Sequence, residues 1–119
     1  MPSERAGRTV SAIVVSYFTG PLLARAIASL KAQDEISEII VVDNANWDGA
    51  VDAAVEANAG GAPVKVITGQ GNVGFAEACN LGARAAEGDY LLFLNPDAVM
   101  PRGGVAQFLA DERALKRPW

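Results

Sequence analysis

Asp89-Tyr90-Leu91-Leu92-Phe93-Leu94-Asn95-Pro96-Asp97 is an apolar run that ends in a proline-stiffened turn carrying a carboxylate. Leu91 to Leu94 show no polar alternation, the pattern of a strand covered on both faces of a parallel sheet. Pro96 has no N–H for a sheet ladder, so the strand is expected to stop at Asn95. The same proline biases Asn95 toward an extended backbone. Asp97 then lies just past the carboxyl end of a strand, where open α/β sheets bind ligands.

Upstream of this run, a helix is expected over Phe75 to Glu87. Its stripe of Phe75, Ala76, Cys79, Gly82, Ala83 and Ala86 is mostly small, so it can lie close to a sheet, and Gly88 suits its C-cap. Before it stand Gly69-Gln70-Gly71-Asn72-Val73-Gly74 and a short strand, Val64 to Thr68. Val10 to Phe18 is a strand rich in β-branched residues. Gly20-Pro21 opens a helix with proline at its first position, and Leu22, Leu23, Ala26, Ile27 and Leu30 give that helix one apolar face. Ile36 to Val42 is a further apolar strand ending at Asp43-Asn44. Asp48 is expected to cap a helix running to about Asn58. Downstream of Asp97, Pro101 and Gly103-Gly104 precede a helix from Val105 to about Leu115.

Strand–helix alternation of this kind predicts an α/β fold, a doubly wound and mostly parallel Rossmann-like sheet with right-handed crossovers. The first and fourth strands are the most apolar and are expected to be central. The expected order is 3-2-1-4, with the switch point between the first and fourth strands. Residues near Tyr17, Asp43 and Asp97 would then line one crevice. Residues 1–9 read as a polar leader expected to be disordered, and 10–119 as one domain.

Composition narrows the chemistry. The chain has 119 residues, a net charge of −4 and no histidine. That excludes imidazole bases, Ser-His-Asp and Cys-His catalysis and His-ligated zinc. One cysteine, Cys79, allows no internal disulfide, and it reads as core packing. No basic face suggests nucleic acid. No apolar run reaches the length of a membrane span, and no secretory signal is visible. A cytoplasmic location is expected, the inner face of the membrane included.

Single motifs leave alternatives open. Gly69-x-Gly71-x-x-Gly74 matches a dinucleotide fingerprint, with Asp97 placed as its ribose acid. However, that fingerprint usually occupies the first βα turn, and here two βα units precede it. A glycine-rich loop that merely starts a helix is the plain alternative. Asp43-Asn44 and Asn95-Pro96-Asp97 are also good turn sequences. Arg84 reads as solvated, and Trp47 as packing or a base-stacking ring.

Four stretches occur together in order: Val14-Val15-Ser16-Tyr17; Ile40-Val41-Val42-Asp43-Asn44; Gly71-Asn72-Val73-Gly74-Phe75-Ala76 with Asn80 and Gly82; and Leu92-Phe93-Leu94-Asn95-Pro96-Asp97. Over Val10 to Phe108 the chain resembles the donor-binding half of family 2 glycosyltransferases with a GT-A fold. Its Asn-Pro-Asp variant is most similar to rhamnosyltransferase-type members. The resemblance implies a nucleotide-sugar donor of UDP or dTDP type. Ser16 and Tyr17 would border the nucleoside, and Asp43 would bind the base with Asn44 shaping its pocket. Asn72 and Gly74 would frame the donor. Asn95 would face the ribose or a water, and Asp97 would hold Mg²⁺ or Mn²⁺ on the diphosphate.

The resemblance also implies departures. Asn95 stands where the family's metal motif has a first acid. The loop after Asp43 reads Asn-Ala-Asn-Trp-Asp-Gly, where a Gly-Ser-Thr-Asp-Gly type run is common. The family's acceptor half, which takes a carbohydrate or glycolipid, and its catalytic base would follow these residues. The domain over 10–119 is therefore expected to be truncated before the acceptor half. Asp111 and Glu112 read as helix surface and are not nominated as the base. Weak or no transfer by these residues alone is expected, as is self-association through an exposed apolar patch. The rival functions are a non-catalytic nucleotide-binding module or remnant and an NAD-type dinucleotide-binding domain.

Overall fold

The computed structural model describes residues 9–46 and 49–114. The leader up to residue 8, Trp47, Asp48 and residues 115–119 lie outside the described residues. Thr9, placed with the leader above, donates its hydroxyl to Asp89 Oδ2 at 2.8 Å.

Strands β1 (Val10–Ser16), β2 (Ile36–Asp43), β3 (Val64–Ile67) and β4 (Tyr90–Phe93) form one parallel sheet in the order β3-β2-β1-β4. Helices α1 (Leu22–Lys31), α2 (Ala50–Ala57), α3 (Phe75–Ala85) and α4 (Gly104–Ala114) alternate with them. The expected strand order is the observed one. None of the described helices is long and apolar enough to cross a membrane.

The sheet separates two cores. Val10, Ala12, Val14, Ile39 and Val41 meet α1 through Leu23, Ile27 and Leu30, α2 through Val51 and Ala54, and α4 through Val105 and Leu109. On the other face, Ile13, Val15, Ile40 and Val42 meet α3 through Ala78. Both faces of β1 and β2 are therefore apolar because both are covered. α3 packs closely because Gly82 carries no side chain. A Cβ there would stand 2.6 Å from Ile13 Cγ2 and 3.3 Å from Val42 Cγ2.

The fourth strand departs from expectation. Among the described strands, β4 bonds only β1 and stands at the edge of the sheet. Tyr90, Leu92 and Leu94 pack into the α1 side, whereas Leu91 and Phe93 are 45% and 47% exposed. The apolar run therefore does not mark a strand covered on both faces, because α3 lies over β1 and β2 and leaves this face of β4 open.

Other boundaries shift for local reasons. β1 ends at Ser16 rather than Phe18, since Phe18 adopts a left-handed backbone with φ 54°. Pro21 caps α1 instead of opening it. Gly49, with φ 77°, immediately precedes α2. α3 stops at Ala85, and Ala86 is its C-cap rather than Gly88. Gly88 instead lets two segments approach. Its N–H donates to Ser11 Oγ at 2.8 Å, and a Cβ there would lie 2.6 Å from that oxygen.

That contact belongs to a buried polar cluster at the amino-terminal edge of the sheet. Glu38, an acid within an apolar strand, accepts hydrogen bonds from Ser11 Oγ at 2.6 Å and Glu87 N–H at 2.6 Å, and pairs with Lys65 Nζ at 2.7 Å. Burial alone pushes its carboxyl up, but Lys65, Ser11 and the Glu87 N–H outweigh burial and hold it below its ordinary value. The cluster ties β1, β2 and β3 to the α3–β4 connection.

Candidate functional site

All four strands run the same way, so their carboxyl ends share one edge. Ser16 is the register partner of Asp43, which sets the ends of β1 and β2 side by side. β4 pairs with β1 only as far as Ile13↔Phe93, followed by a bond from Leu94 N–H to Ile13 O. β1 continues to Ser16, so the Asn95-Pro96-Asp97 turn rises beside its last residues and reaches Tyr17.

The turn is held from below. Ala98 N–H donates to Asn95 O at 3.0 Å and closes it. Met100, buried, donates its N–H to Ser29 Oγ of α1 at 2.8 Å. Gln33, also buried, donates to Pro101 O and accepts from Val105 N–H. These bonds fix the path from β4 to α4, and with it the position of Asp97.

Tyr17, Phe18, Thr19, Leu22, Asn95, Pro96 and Asp97 line an open groove of about 400 Å³. The Tyr17 and Phe18 rings meet edge to face with centroids 4.7 Å apart, and Tyr17 is 53% exposed. Asp97 is exposed, and its carboxylate engages no other described residue. The groove thus joins an aromatic wall to a carboxylate across the β1/β4 switch point.

A second cluster lies where β2 and β3 end. Asp43 Oδ1 accepts from Asn46 N–H at 2.8 Å and Asn46 Nδ2 at 2.6 Å, and Thr68 Oγ1 lies 3.3 Å from Oδ2. Gln70 donates to the Asp43 carbonyl at 2.9 Å. Asn44, 2% exposed, donates to Asn72 Oδ1 and Gly74 O, each at 3.3 Å. Asn72 Oδ1 also accepts the Gly74 N–H at 3.0 Å. Asn44 thereby ties the end of β2 to the loop that opens α3. Asn44 Oδ1 and Gln70 Oε1 are buried without a partner among the described residues, so this edge keeps unused acceptors.

The candidate residues thus form two groups. Ser16, Tyr17, Asn95 and Asp97 meet around the β1/β4 end, with the Ser16 hydroxyl facing Thr19 Oγ1 at 3.1 Å. Asp43, Asn44, Asn72 and Gly74 meet around the β2 end. Asn46, which the sequence reading passed over, joins the groups. It donates to Ser16 O at 2.6 Å and accepts the Phe18 N–H. Its only sequence signal is a short amide in a strand-end loop. Thr68 and Gln70 were also missed.

Gly74 does not take the packing role of a dinucleotide fingerprint's third glycine. There the third glycine permits close packing of helix against strand. Gly74 has φ 85° and a Cβ on it would meet nothing within 4 Å. Gly69 and Gly71 also have positive φ and open surroundings, so this loop needs glycine for its turns. Close helix–sheet packing falls to Gly82 instead.

The donor set at Asp97 suits a hard divalent ion. Such ions take oxygen ligands and manage with one or two carboxylates plus substrate phosphates. No cluster of three or more His, Cys, Asp or Glu side chains occurs among the described residues. Burial pushes the Cys79 thiol up, against a thiolate role. Asp111 accepts from Gln107 and Glu112 from Tyr90, both on the exposed surface of α4.

The family model for glycosyl transferase family 2 matches residues 11–111. An uncharacterized glycosyltransferase of Haemophilus influenzae is 37% identical over 89 residues, which are 74% of this chain and 29% of that protein. S. aureus TarS 1-349 superposes with a TM-score of 0.77 at 23% identity, over 89% of this chain and 32% of that one. The same TarS fragment is known with UDP-GlcNAc and with UDP. The mannosyltransferase PcManGT from Pyrobaculum calidifontis, in complex with GDP-Man and Mn²⁺, superposes with a TM-score of 0.74 at 28% identity, over 84% of this chain and 31% of that one. The chain therefore spans about a third of the length of these relatives, between 29% and 32%.

Proposed function

The chain belongs to glycosyl transferase family 2 and has its GT-A fold, and from that premise we propose that it binds the sugar donor of an inverting transfer to a hydroxyl acceptor. The donor is a nucleoside diphosphate sugar of UDP or dTDP type, held with Mg²⁺ or Mn²⁺. One observation carries the reading: Asp97, whose carboxylate engages no other described residue, lines one groove with Tyr17 at the β1/β4 switch point. The complex of PcManGT with GDP-Man and Mn²⁺ supports a donor that would be held with a divalent ion, without identifying the base.

The residues divide the work of holding the donor. Asp97 supplies the protein carboxylate to the ion, with the Asn95 amide beside it for ribose or water. Tyr17 flanks the nucleoside, and Ser16 anchors the chain beneath it. Asp43 accepts a base N–H, and Asn44 holds the Asn72–Gly74 loop against the donor. When bound, the ion is a Lewis acid for the charge that grows on the departing diphosphate. An inverting transfer also needs a base to take the acceptor's proton, and no residue here is assigned to that step. The acceptor, a carbohydrate or glycolipid, is assigned to the longer family architecture. The exposed Leu91 and Phe93 support self-association through β4.

The test is thermal stabilisation by UDP, dTDP, GDP and NAD, each with and without Mn²⁺. A ligand at ~100 times its dissociation constant adds about 2.7 kcal/mol. Stabilisation by UDP or dTDP that requires metal and vanishes in Asp97→Ala is expected. Stabilisation by NAD alone, indifferent to metal, would refute the reading.

A further inference from the structure

We propose that Asn46 selects the donor's base, favouring uracil or thymine over guanine by closing one oxygen of Asp43. This rests on the donor-binding reading, in which Asp43 meets the base. A carboxylate oxygen has two lone-pair sites. Both sites of Asp43 Oδ1 are taken, by the Asn46 backbone N–H at 2.8 Å and by Asn46 Nδ2 at 2.6 Å. Among the described residues, Oδ2 has only the Thr68 hydroxyl, at 3.3 Å. Asp43 therefore offers a base one open oxygen.

That count discriminates between bases. Uracil and thymine present a single N3–H, which one oxygen satisfies. Guanine presents N1–H and N2–H side by side, a pair that asks for both carboxylate oxygens. With Oδ1 closed, one guanine donor loses its partner on leaving water, a cost that a single-donor base avoids.

Asn46 is held firmly enough to enforce this. Its remaining amide hydrogen goes to Ser16 O at 2.6 Å, and its Oδ1 accepts the N–H of Phe18. Both hydrogens of its side-chain amide, and its oxygen, are thus engaged. Phe18 sits at φ 54° and Ala45 at φ 66°, so the two loops that Asn46 bridges both carry left-handed non-glycine residues. Asn46 is a positioning residue, since it acts on the base through Asp43.

The experiment measures dissociation constants of UDP and GDP in the presence of Mn²⁺, by calorimetry, for the unaltered chain, N46A and N46S. The unaltered chain should prefer UDP by at least about tenfold, the factor that one hydrogen bond to a charged group supplies. N46A frees one site on Oδ1 while the backbone bond stays, so the UDP/GDP ratio should fall by about that factor. N46S should give an intermediate ratio, and it carries the test if N46A does not fold. A merely structural role would weaken both nucleotides together and leave the ratio unchanged. A UDP preference that persists unchanged in the variants, or a GDP preference in the unaltered chain, overturns the inference and leaves donor binding standing. If neither diphosphate binds the unaltered chain, the donor reading fails and the inference fails with it.

Discussion

Replacing Glu38 by alanine should destabilise the fold by about 3 kcal/mol, estimated from its hydrogen bonds. The carboxylate accepts from Ser11 Oγ and Glu87 N–H, each at 2.6 Å, and from Lys65 Nζ at 2.7 Å. The Lys65 side chain is 43% exposed, so its bond is screened by solvent and adds little. The other two are bonds to a buried charged acceptor, worth about 1.5–3 kcal/mol each. Relief of the carboxylate's desolvation offsets part of the sum. A loss of this size is a large share of the roughly 5–15 kcal/mol that holds a domain folded, and it should lower the melting temperature by more than about 10 °C.

The loss should depend on pH. Glu38 is held below its ordinary value of 4.5, so its contribution is complete above that value and disappears as pH falls through the folded value. Lys65 is shifted the other way: the Glu38 hydrogen bond raises it above 10.5, so its share is intact below that value and fades as pH rises through the folded one. Urea denaturation of the unaltered chain, E38A and E38Q at neutral pH and near pH ~3 checks both the size and the sign. A change under about 0.5 kcal/mol at neutral pH, the ordinary surface range, would refute the reasoning. So would a gap between unaltered chain and variants that widens on acidification.

Other predictions concern the helix contact, the metal and the sheet edge. Gly82→Ala sets a Cβ 2.6 Å from the buried Ile13 Cγ2. Overpacking of about 1–3 kcal/mol should outweigh a helix-propensity gain of about 1 kcal/mol, so thermal melts should show net destabilisation; an unchanged or raised midpoint contradicts this. Asn95→Asp adds a second carboxylate to the groove and should tighten Mn²⁺ binding in the presence of UDP by about tenfold, since ligand charge count tunes hard-cation affinity; equal or weaker affinity by calorimetry contradicts this. Leu91→Lys with Phe93→Lys charges the open face of β4 and should reduce self-association seen by light scattering; a strictly monomeric unaltered chain at high concentration removes the premise.

The sequence made legible what depends on local pattern. The apolar runs of Val10–Ser16 and Ile36–Val42 reveal two of the strands and β–α alternation implies the order, but the run of Leu91–Leu94, expected to be central, lies at the sheet edge. The tips, Tyr17, Asp43 and Asp97, follow from that order. What stayed hidden depends on contacts between distant segments. Phe18 reads as strand because it is apolar, but it is turned out of the strand where Asn46, 28 positions away, accepts its N–H. Gly88 reads as a helix cap because nothing local shows that it must approach Ser11. Leu91 and Phe93 read as buried because hydrophobicity does not say whether a helix covers them. Glu38 was detectable in principle, since an acid inside an apolar strand must find partners when buried.

On the proposed reading, this edge of the sheet holds a metal–diphosphate through Asp97. The most direct test is Mn²⁺ titration followed by electron paramagnetic resonance, with UDP and the unaltered chain or Asp97→Ala. A ternary complex should form whose Mn²⁺ signal differs from that of Mn²⁺–UDP alone, and it should be lost in Asp97→Ala while the variant's UDP-free melting temperature is unchanged. An identical ternary signal in the two proteins, or none in the unaltered chain, would contradict that reading.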